Sequence, residues 1–155
     1  MKTDILAFGA HPDDTELSCS GTLAALAEQG MSVVVADLTR GEMGSRGTPE
    51  QRLQEAKAAG NILGLAERVN LGLPDTELNN TRELQLPIIR TVRAYRPHIC
   101  LIPAPADRHP DHGHAATLIR DAIFYSGLVK IETRDSERKY QQPHRPAHVL
   151  HYMQD

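Results

Sequence analysis

Residues 4–14 of the chain read Asp4-Ile5-Leu6-Ala7-Phe8-Gly9-Ala10-His11-Pro12-Asp13-Asp14. The first half of this stretch is short, apolar and ended by a glycine, which predicts a buried strand. The second half places one imidazole and two carboxylates in a tight turn. Because ligands bind at the carboxyl ends of strands in open α/β sheets, this turn is a candidate site. It lacks the G-x-G-x-x-G spacing that holds a pyrophosphate, which disfavours dinucleotide binding there.

Strands and helices alternate along the rest of the chain. Further strands are predicted over residues 32–38, 67–72, 98–103 and 146–153, and helices over residues 21–29, 49–63, 81–95 and 112–125. Pro87 lies inside the third helical stretch, so we expect a kink or a late start there. The alternation predicts one α/β domain over residues 1–155, a Rossmann-like three-layer sandwich around a mostly parallel sheet. Nothing covers the last predicted strand, so we expect this domain to lack a C-terminal portion.

Composition and charge exclude several classes of protein. Seventeen basic against twenty acidic residues give a net charge of −3, which offers no electrostatic reason to expect nucleic acid or an anionic membrane as a partner. No apolar run reaches membrane-spanning length and the N-terminus lacks a signal-peptide pattern, so a cytoplasmic location is expected. The two cysteines, Cys19 and Cys100, are too few and too distant for a disulfide framework or a four-cysteine zinc site.

A second polar cluster follows the strand predicted over residues 98–103. It reads Asp107-Arg108-His109-Pro110-Asp111-His112-Gly113-His114. In the usual doubly wound order the first and fourth strands are neighbours, so the two clusters are expected to converge on one crevice. Two histidines and one carboxylate form a recurring catalytic zinc set that leaves a fourth position for water.

Each cluster taken alone has a plainer interpretation, in which its carboxylates cap a helix. Their expected convergence favours a metal site. His114 is the weakest member of the second cluster, and an exposed position on a helix explains it equally well. The remaining histidines have no partners at ligand spacing and are interpreted as structural or surface residues: His98, His144, His148 and His151.

The two clusters together resemble the motifs of the LmbE-like (PIG-L) zinc deacetylases, which remove acetyl groups from N-acetylglucosaminyl compounds. Residues 10–14 match the family's A-H-P-D-D, and residues 109–112 match its H-P-D-H. Residues 4–11, 70–75 and 108–114 are most similar to the bacillithiol-biosynthesis deacetylases. That resemblance implies N-acetylglucosaminyl-malate as the substrate, with N-acetylchitobiose-type sugars as the alternative. It also implies a homo-oligomer, hexameric or smaller, whose chains continue beyond position 155.

The resemblance implies a role for each matching residue. His11, Asp14 and His112 are the implied zinc ligands, although Fe²⁺ or Co²⁺ would suit the same donors. Asp13 is the implied general base. His109 is the implied electrophile beside the oxyanion, with Asp111 as its orienting partner.

Two arginines match family positions that contact an acidic aglycone: Arg52 and Arg108. A surface salt bridge is the alternative for each of them.

Two rival functions remain open at this point. The first is nucleotide binding, because Asp37 ends the second predicted strand near the position that holds a ribose in dehydrogenase folds. The missing glycine fingerprint weighs against it. The second is a non-catalytic module that binds a metal or a sugar. In each case the expected ligand is a small molecule and neither nucleic acid nor a membrane.

Overall fold

A computed structural model describes residues 2–154, so residues 1 and 155 of the predicted domain lie outside the described residues. Nine elements follow one another in chain order: β1 Ile5–Gly9, α1 Asp14–Glu28, β2 Val33–Asp37, α2 Pro49–Ile62, β3 Glu67–Asn70, α3 Arg82–Tyr95, β4 Ile99–Pro103, α4 Pro110–Ser126 and β5 His148–Tyr152. The five strands form one parallel sheet in the order β3-β2-β1-β4-β5. The predicted α/β sandwich and the predicted neighbourhood of the first and fourth strands are confirmed.

Two helices begin earlier than predicted. Helix α1 begins at Asp14, seven residues before the predicted start at Gly21. Acidic residues in its first turn stabilise this earlier start because they lie at the positive end of the helix dipole. Helix α4 begins at Pro110, and proline is favoured in the first turn of a helix because it has no N–H to leave unpaired there. Helix α3 runs through Pro87 from Arg82, so the late start predicted as one alternative does not occur.

The core divides into two layers, one on each face of the sheet. The larger layer packs α3 and α4 against alternate residues of β1, β2 and β4. The smaller layer packs α1 against the other face through Leu23, which lies in one cluster with Ile5 and Val33. Burial of this apolar surface on both faces fixes the strand register, because a shift by one residue would exchange the two faces. None of the helices within residues 2–154 combines the length and hydropathy that a membrane span requires.

An ion-pair network joins α1 to strands β2 and β3. The Arg68 guanidinium on β3 donates to both carboxylate oxygens of Asp37, at 2.9 and 3.0 Å, and also contacts Glu16 in the first turn of α1. Burial raises the pKa of Asp37 to about 6 although Arg68 opposes that shift. Because Asp37 is buried and both of its oxygens accept from Arg68, a ribose could not reach this carboxylate without displacing the ion pair, which argues against the nucleotide-binding alternative.

The network predicts that Arg68→Ala lowers the free energy of unfolding by about 3 kcal/mol, since it leaves Asp37 buried without its partner. Urea unfolding followed by circular dichroism measures the change. Arg120→Ala is the matched control, because Arg120 pairs with Asp121 while its side chain is 58% exposed. The control is expected to lose less than about 1 kcal/mol. Equal losses in the two variants would contradict the role given to Arg68.

Candidate active site

The two polar clusters meet at the carboxyl end of the sheet, beside β1 and β4. The ring centroids of His11 and His112 lie 5.7 Å apart, and His109 lies 5.0 Å from His11 and 4.8 Å from His112. These side chains face a cavity of about 340 Å³. The crevice expected from the doubly wound strand order is therefore present, and it gathers the histidines of both clusters.

The three predicted metal ligands are buried and in contact with one another. Asp14 lies between the two histidines, with Oδ1 at 3.2 Å from Nε2 of His112 and Oδ2 at 3.7 Å from Nδ1 of His11. Its Oδ2 also accepts a hydrogen bond of 2.9 Å from the His11 amide. This hydrogen bond therefore holds Asp14, the first residue of α1, close to the carboxyl end of β1.

Nitrogen and oxygen donors converge at this point closely enough to hold a divalent ion. Two sets have one donor atom from each member within 4.8 Å of the others: His11, His109 and His112; and His11, Asp75 and Asp111. Asp14 belongs to neither set, although its oxygens face nitrogens of His11 and His112. Imidazole and carboxylate are ligands that zinc accepts, and buried carboxylates at this density are unfavourable without a cation among them. The chemistry of the donors thus fits a divalent metal.

The contact between His112 and Asp14 shifts both groups toward their charged forms. Hydrogen bonding to Asp14 raises the pKa of His112 to about 9, with a smaller contribution from Asp107. Burial alone would raise the pKa of Asp14, but His112 and the His11 amide lower it further than burial raises it. A metal that binds Nε2 of His112 must displace its proton, so metal binding is coupled to proton release.

Asp13, the predicted base, is exposed at the cavity, whereas its neighbour Asp14 is buried. Its side chain is 53% exposed at the cavity, and Nη2 of Arg52 lies 3.2 Å from its Oδ2. Arg52 also donates to the Gly41 carbonyl at 3.1 Å. Gly41 has a φ of +64°, and a side chain there would collide with the Arg52 guanidinium, so glycine is required. The structure therefore places Arg52 in a salt bridge at the site.

His109 and Asp111 meet in a different way from the contact that the resemblance implied. Nδ1 of His109 accepts a hydrogen bond of 3.3 Å from the Asp111 backbone amide, not from its carboxylate. The Asp111 carboxylate is turned toward His11 Nε2 at 3.2 Å, and it also accepts from the Thr76 amide at 3.1 Å. Thr76 has a φ of +66°, a strained conformation for threonine that aims its amide at this carboxylate.

Two further carboxylates in the site carried no role in the sequence analysis. Asp75 lies 3.0 Å from His11 Nε2 and accepts from the Met43 amide at 2.9 Å. Burial would raise the pKa of Asp75, but the Met43 amide and His11 lower it more. Asp107 lies 3.1 Å from His112 Nδ1. Both residues belong to the motifs quoted above and follow strands β3 and β4. Their position after strand ends is the sequence feature that could have identified them as site residues.

The other predicted residues lie at the rim or outside the cavity. Arg108 is exposed and lines the cavity mouth, whereas His114 is exposed on α4 and does not line it. His144 and His151 contact the backbone carbonyls of Pro97 and Pro103, and the exposed rings of His98 and His148 stack edge to face. The structural and surface interpretation of these four histidines is consistent with those contacts.

The sequence over residues 6–123 matches the family model described as PIG-L, GlcNAc-PI de-N-acetylase. The chain belongs to the PIG-L family. This confirms the family that the two motifs indicated.

Similar PIG-L proteins from archaea and bacteria extend the comparison. Diacetylchitobiose deacetylase from Thermococcus kodakarensis is 36% identical over 141 residues, which cover 84% of this chain and 53% of the relative. The Bacillus anthracis protein named "Probable N-acetyl-alpha-D-glucosaminyl L-malate deacetylase 2" is 29% identical over 132 residues, covering 77% of this chain and 58% of the relative. The crystal structure of the conserved protein TT1542 from Thermus thermophilus superimposes with a TM-score of 0.89 and 42% identity, covering 97% of this chain and 66% of that one. The chain thus spans between half and two thirds of the length of these relatives.

The pKa of His112 predicts how stability depends on pH when a chelator keeps metal away. Because the folded-state pKa of about 9 exceeds the ordinary value of 6.5, the stabilisation is fully present below about pH 6.5 and is lost as pH rises through about 9. The advantage of the wild type over His112→Gln in unfolding free energy should therefore shrink across that range. Urea unfolding at a series of pH values measures it. A difference that stays constant from about pH 6 to about pH 10 would contradict the ion pair.

Proposed function

We propose that this protein hydrolyses the N-acetyl group of an N-acetylglucosaminide with the help of a divalent metal ion. The observation that carries the proposal is the meeting of His11, Asp14 and His112, all buried, at the floor of a cavity that a half-exposed Asp13 also lines. A buried ligand set beside an accessible carboxylate provides a metal site and a base for the same reaction. The matching family model is described as a de-N-acetylase, which supports the N-acetyl group as the part of the substrate that is removed.

His11, Asp14 and His112 would hold the metal, and we propose that it is Zn²⁺. Fe²⁺ or Co²⁺ are the alternatives, because the same nitrogen and oxygen donors suit all three ions. When bound, such an ion supplies a water molecule whose pKa is about 7 and polarises the acetyl carbonyl.

Asp13 would act as the general base. Its carboxylate takes a proton from the attacking water and then passes it to the leaving amine. Arg52 restricts the side chain through the contact of 3.2 Å. The salt bridge therefore orients the base toward the cavity while its other oxygen stays available for the proton.

His109 would stabilise the oxyanion of the tetrahedral intermediate. Because its Nδ1 accepts the Asp111 amide, the ring proton lies on Nε2, and Nε2 is the donor left for the oxyanion. In this arrangement it is the amide of Asp111, at the first turn of α4, that orients the ring.

We propose a neutral N-acetylated sugar of the N,N′-diacetylchitobiose type as the substrate, ahead of N-acetylglucosaminyl-malate. The relative that acts on diacetylchitobiose is more similar to this chain than the malate relative, at 36% against 29% identity. Arg52 favours the neutral sugar as well, because its guanidinium already contacts Asp13 and the Gly41 carbonyl and is less available to pair with a substrate carboxylate. N-acetylglucosaminyl-malate is the second candidate, because Arg108 is exposed at the cavity mouth and could pair with its carboxylates. The homo-oligomer and the cytoplasmic location stay predictions.

Acetate release from a small panel of substrates tests the proposed function. We expect the zinc-loaded protein to release acetate from N,N′-diacetylchitobiose faster than from N-acetylglucosaminyl-malate, and to stop when a chelator is added. Zinc binding with no acetate release from either compound would favour the non-catalytic binder. Acetate release that is insensitive to chelator would contradict the proposed requirement for a metal ion.

Replacement of the proposed base separates binding from catalysis. Asp13→Ala should keep wild-type zinc occupancy and lose turnover by about a hundredfold or more, because only proton transfer is removed. Elemental analysis and the acetate assay give the two readouts. Asp121→Asn is the control and should keep both, because Asp121 lies on α4 and does not line the cavity. Wild-type turnover in Asp13→Ala would end the assignment.

A further inference from the structure

We propose that Asp107 is a positioning residue for His112, holding the imidazole so that its Nε2 faces the metal site. The inference rests on the proposed function, since it takes His112 to be a metal ligand. It concerns a carboxylate outside the ligand set that the family motifs indicate.

The two side chains meet in a buried position. Oδ2 of Asp107 lies 3.1 Å from Nδ1 of His112, and the side chains are 4% and 7% exposed. Within residues 2–154 this nitrogen has no hydrogen-bond partner of good geometry, so the Asp107 carboxylate is the contact available to it. The opposite ring nitrogen, Nε2, lies 3.2 Å from Oδ1 of Asp14. One carboxylate therefore faces each nitrogen of the ring, with Asp14 on the side of the metal site and Asp107 behind.

The backbone holds the Asp107 carboxylate in place. Its Oδ1 accepts a hydrogen bond of 2.9 Å from the His109 amide two residues later, a local turn that aspartate forms readily. His112 is held by the same short segment, because its amide donates to the His109 carbonyl at 3.1 Å. The spacing between carboxylate and imidazole is thus set by a few residues between β4 and α4.

This arrangement places a carboxylate within reach of the second ring nitrogen of a proposed metal-binding histidine. A ligating imidazole that directs its other N–H to a carboxylate has a fixed tautomer and ring orientation and is a stronger donor to the metal. Removal of such a partner commonly lowers metal affinity by about 10- to 100-fold. A role confined to the turn before α4 would instead require only an oxygen acceptor for the His109 amide.

Two substitutions distinguish a role of Asp107 in positioning His112 from a role confined to the turn before α4. Asp107→Asn keeps an oxygen for the His109 amide but removes the negative charge behind His112, and Asp107→Ser does the same with a shorter side chain. Asp135→Asn is the matched control, because Asp135 also accepts backbone amides in a loop, from Glu137 and Lys139, away from the cavity. Thermal unfolding in chelator checks that each variant is folded.

The measurement is the affinity of the chelator-stripped full chain for Co²⁺ and Zn²⁺, by competition with a chromophoric chelator, together with the visible spectrum of bound Co²⁺. We expect Asp107→Asn and Asp107→Ser to bind about 10- to 100-fold more weakly, with an altered Co²⁺ spectrum, while Asp135→Asn matches the wild type. Wild-type affinity in both folded Asp107 variants would overturn the inference alone. Metal binding by the wild type without acetate release would overturn only the proposed hydrolysis. Failure of the wild type to bind either ion would overturn both.

Discussion

The parallel pairing of β1 with β4 is the constraint on which the site depends. Ile5 stands opposite Ile99 and Ala7 opposite Leu101, so both strands run out at the same edge of the sheet. The turn after Gly9 and the loop after Pro103 must then face each other across one crevice. Residues about a hundred positions apart in sequence become neighbours without any direct local signal between them.

The site that results is rich in buried carboxylate and poor in buried cationic side chains. Four carboxylates surround the imidazoles of His11 and His112: Asp14, Asp75, Asp107 and Asp111. Such a cluster is costly to bury unless positive charge compensates it. In the absence of metal, a protonated His112 would compensate part of this charge. A divalent ion bound at its Nε2 would replace that proton and compensate more. Arg68 does not line the cavity. It links Glu16 in the first turn of α1 to Asp37 on β2 and so helps to hold the start of the helix, where Asp14 lies.

The sequence predicted the sheet well because β1 and β2 are continuous apolar runs, buried on both faces. It missed the first turns of α1, where Asp14 to Ser20 is mostly polar and has no apolar periodicity to mark a helix. The meeting of the two histidine clusters could be predicted because each follows a strand and the two strands were expected to be neighbours. Asp75 reaches the site from the loop after β3, and the partner of Arg52 depends on the path of the loop through Gly41. These are long-range contacts that no local pattern specifies.

The central claim is that one divalent ion lies between the two clusters. Anomalous diffraction at the zinc absorption edge, from crystals grown with zinc, tests it most directly. We expect a single strong peak within about 2.0–2.2 Å of nitrogen atoms of His11 and His112 and an oxygen of Asp14. Crystals with full zinc occupancy elsewhere and no peak between those side chains would contradict it.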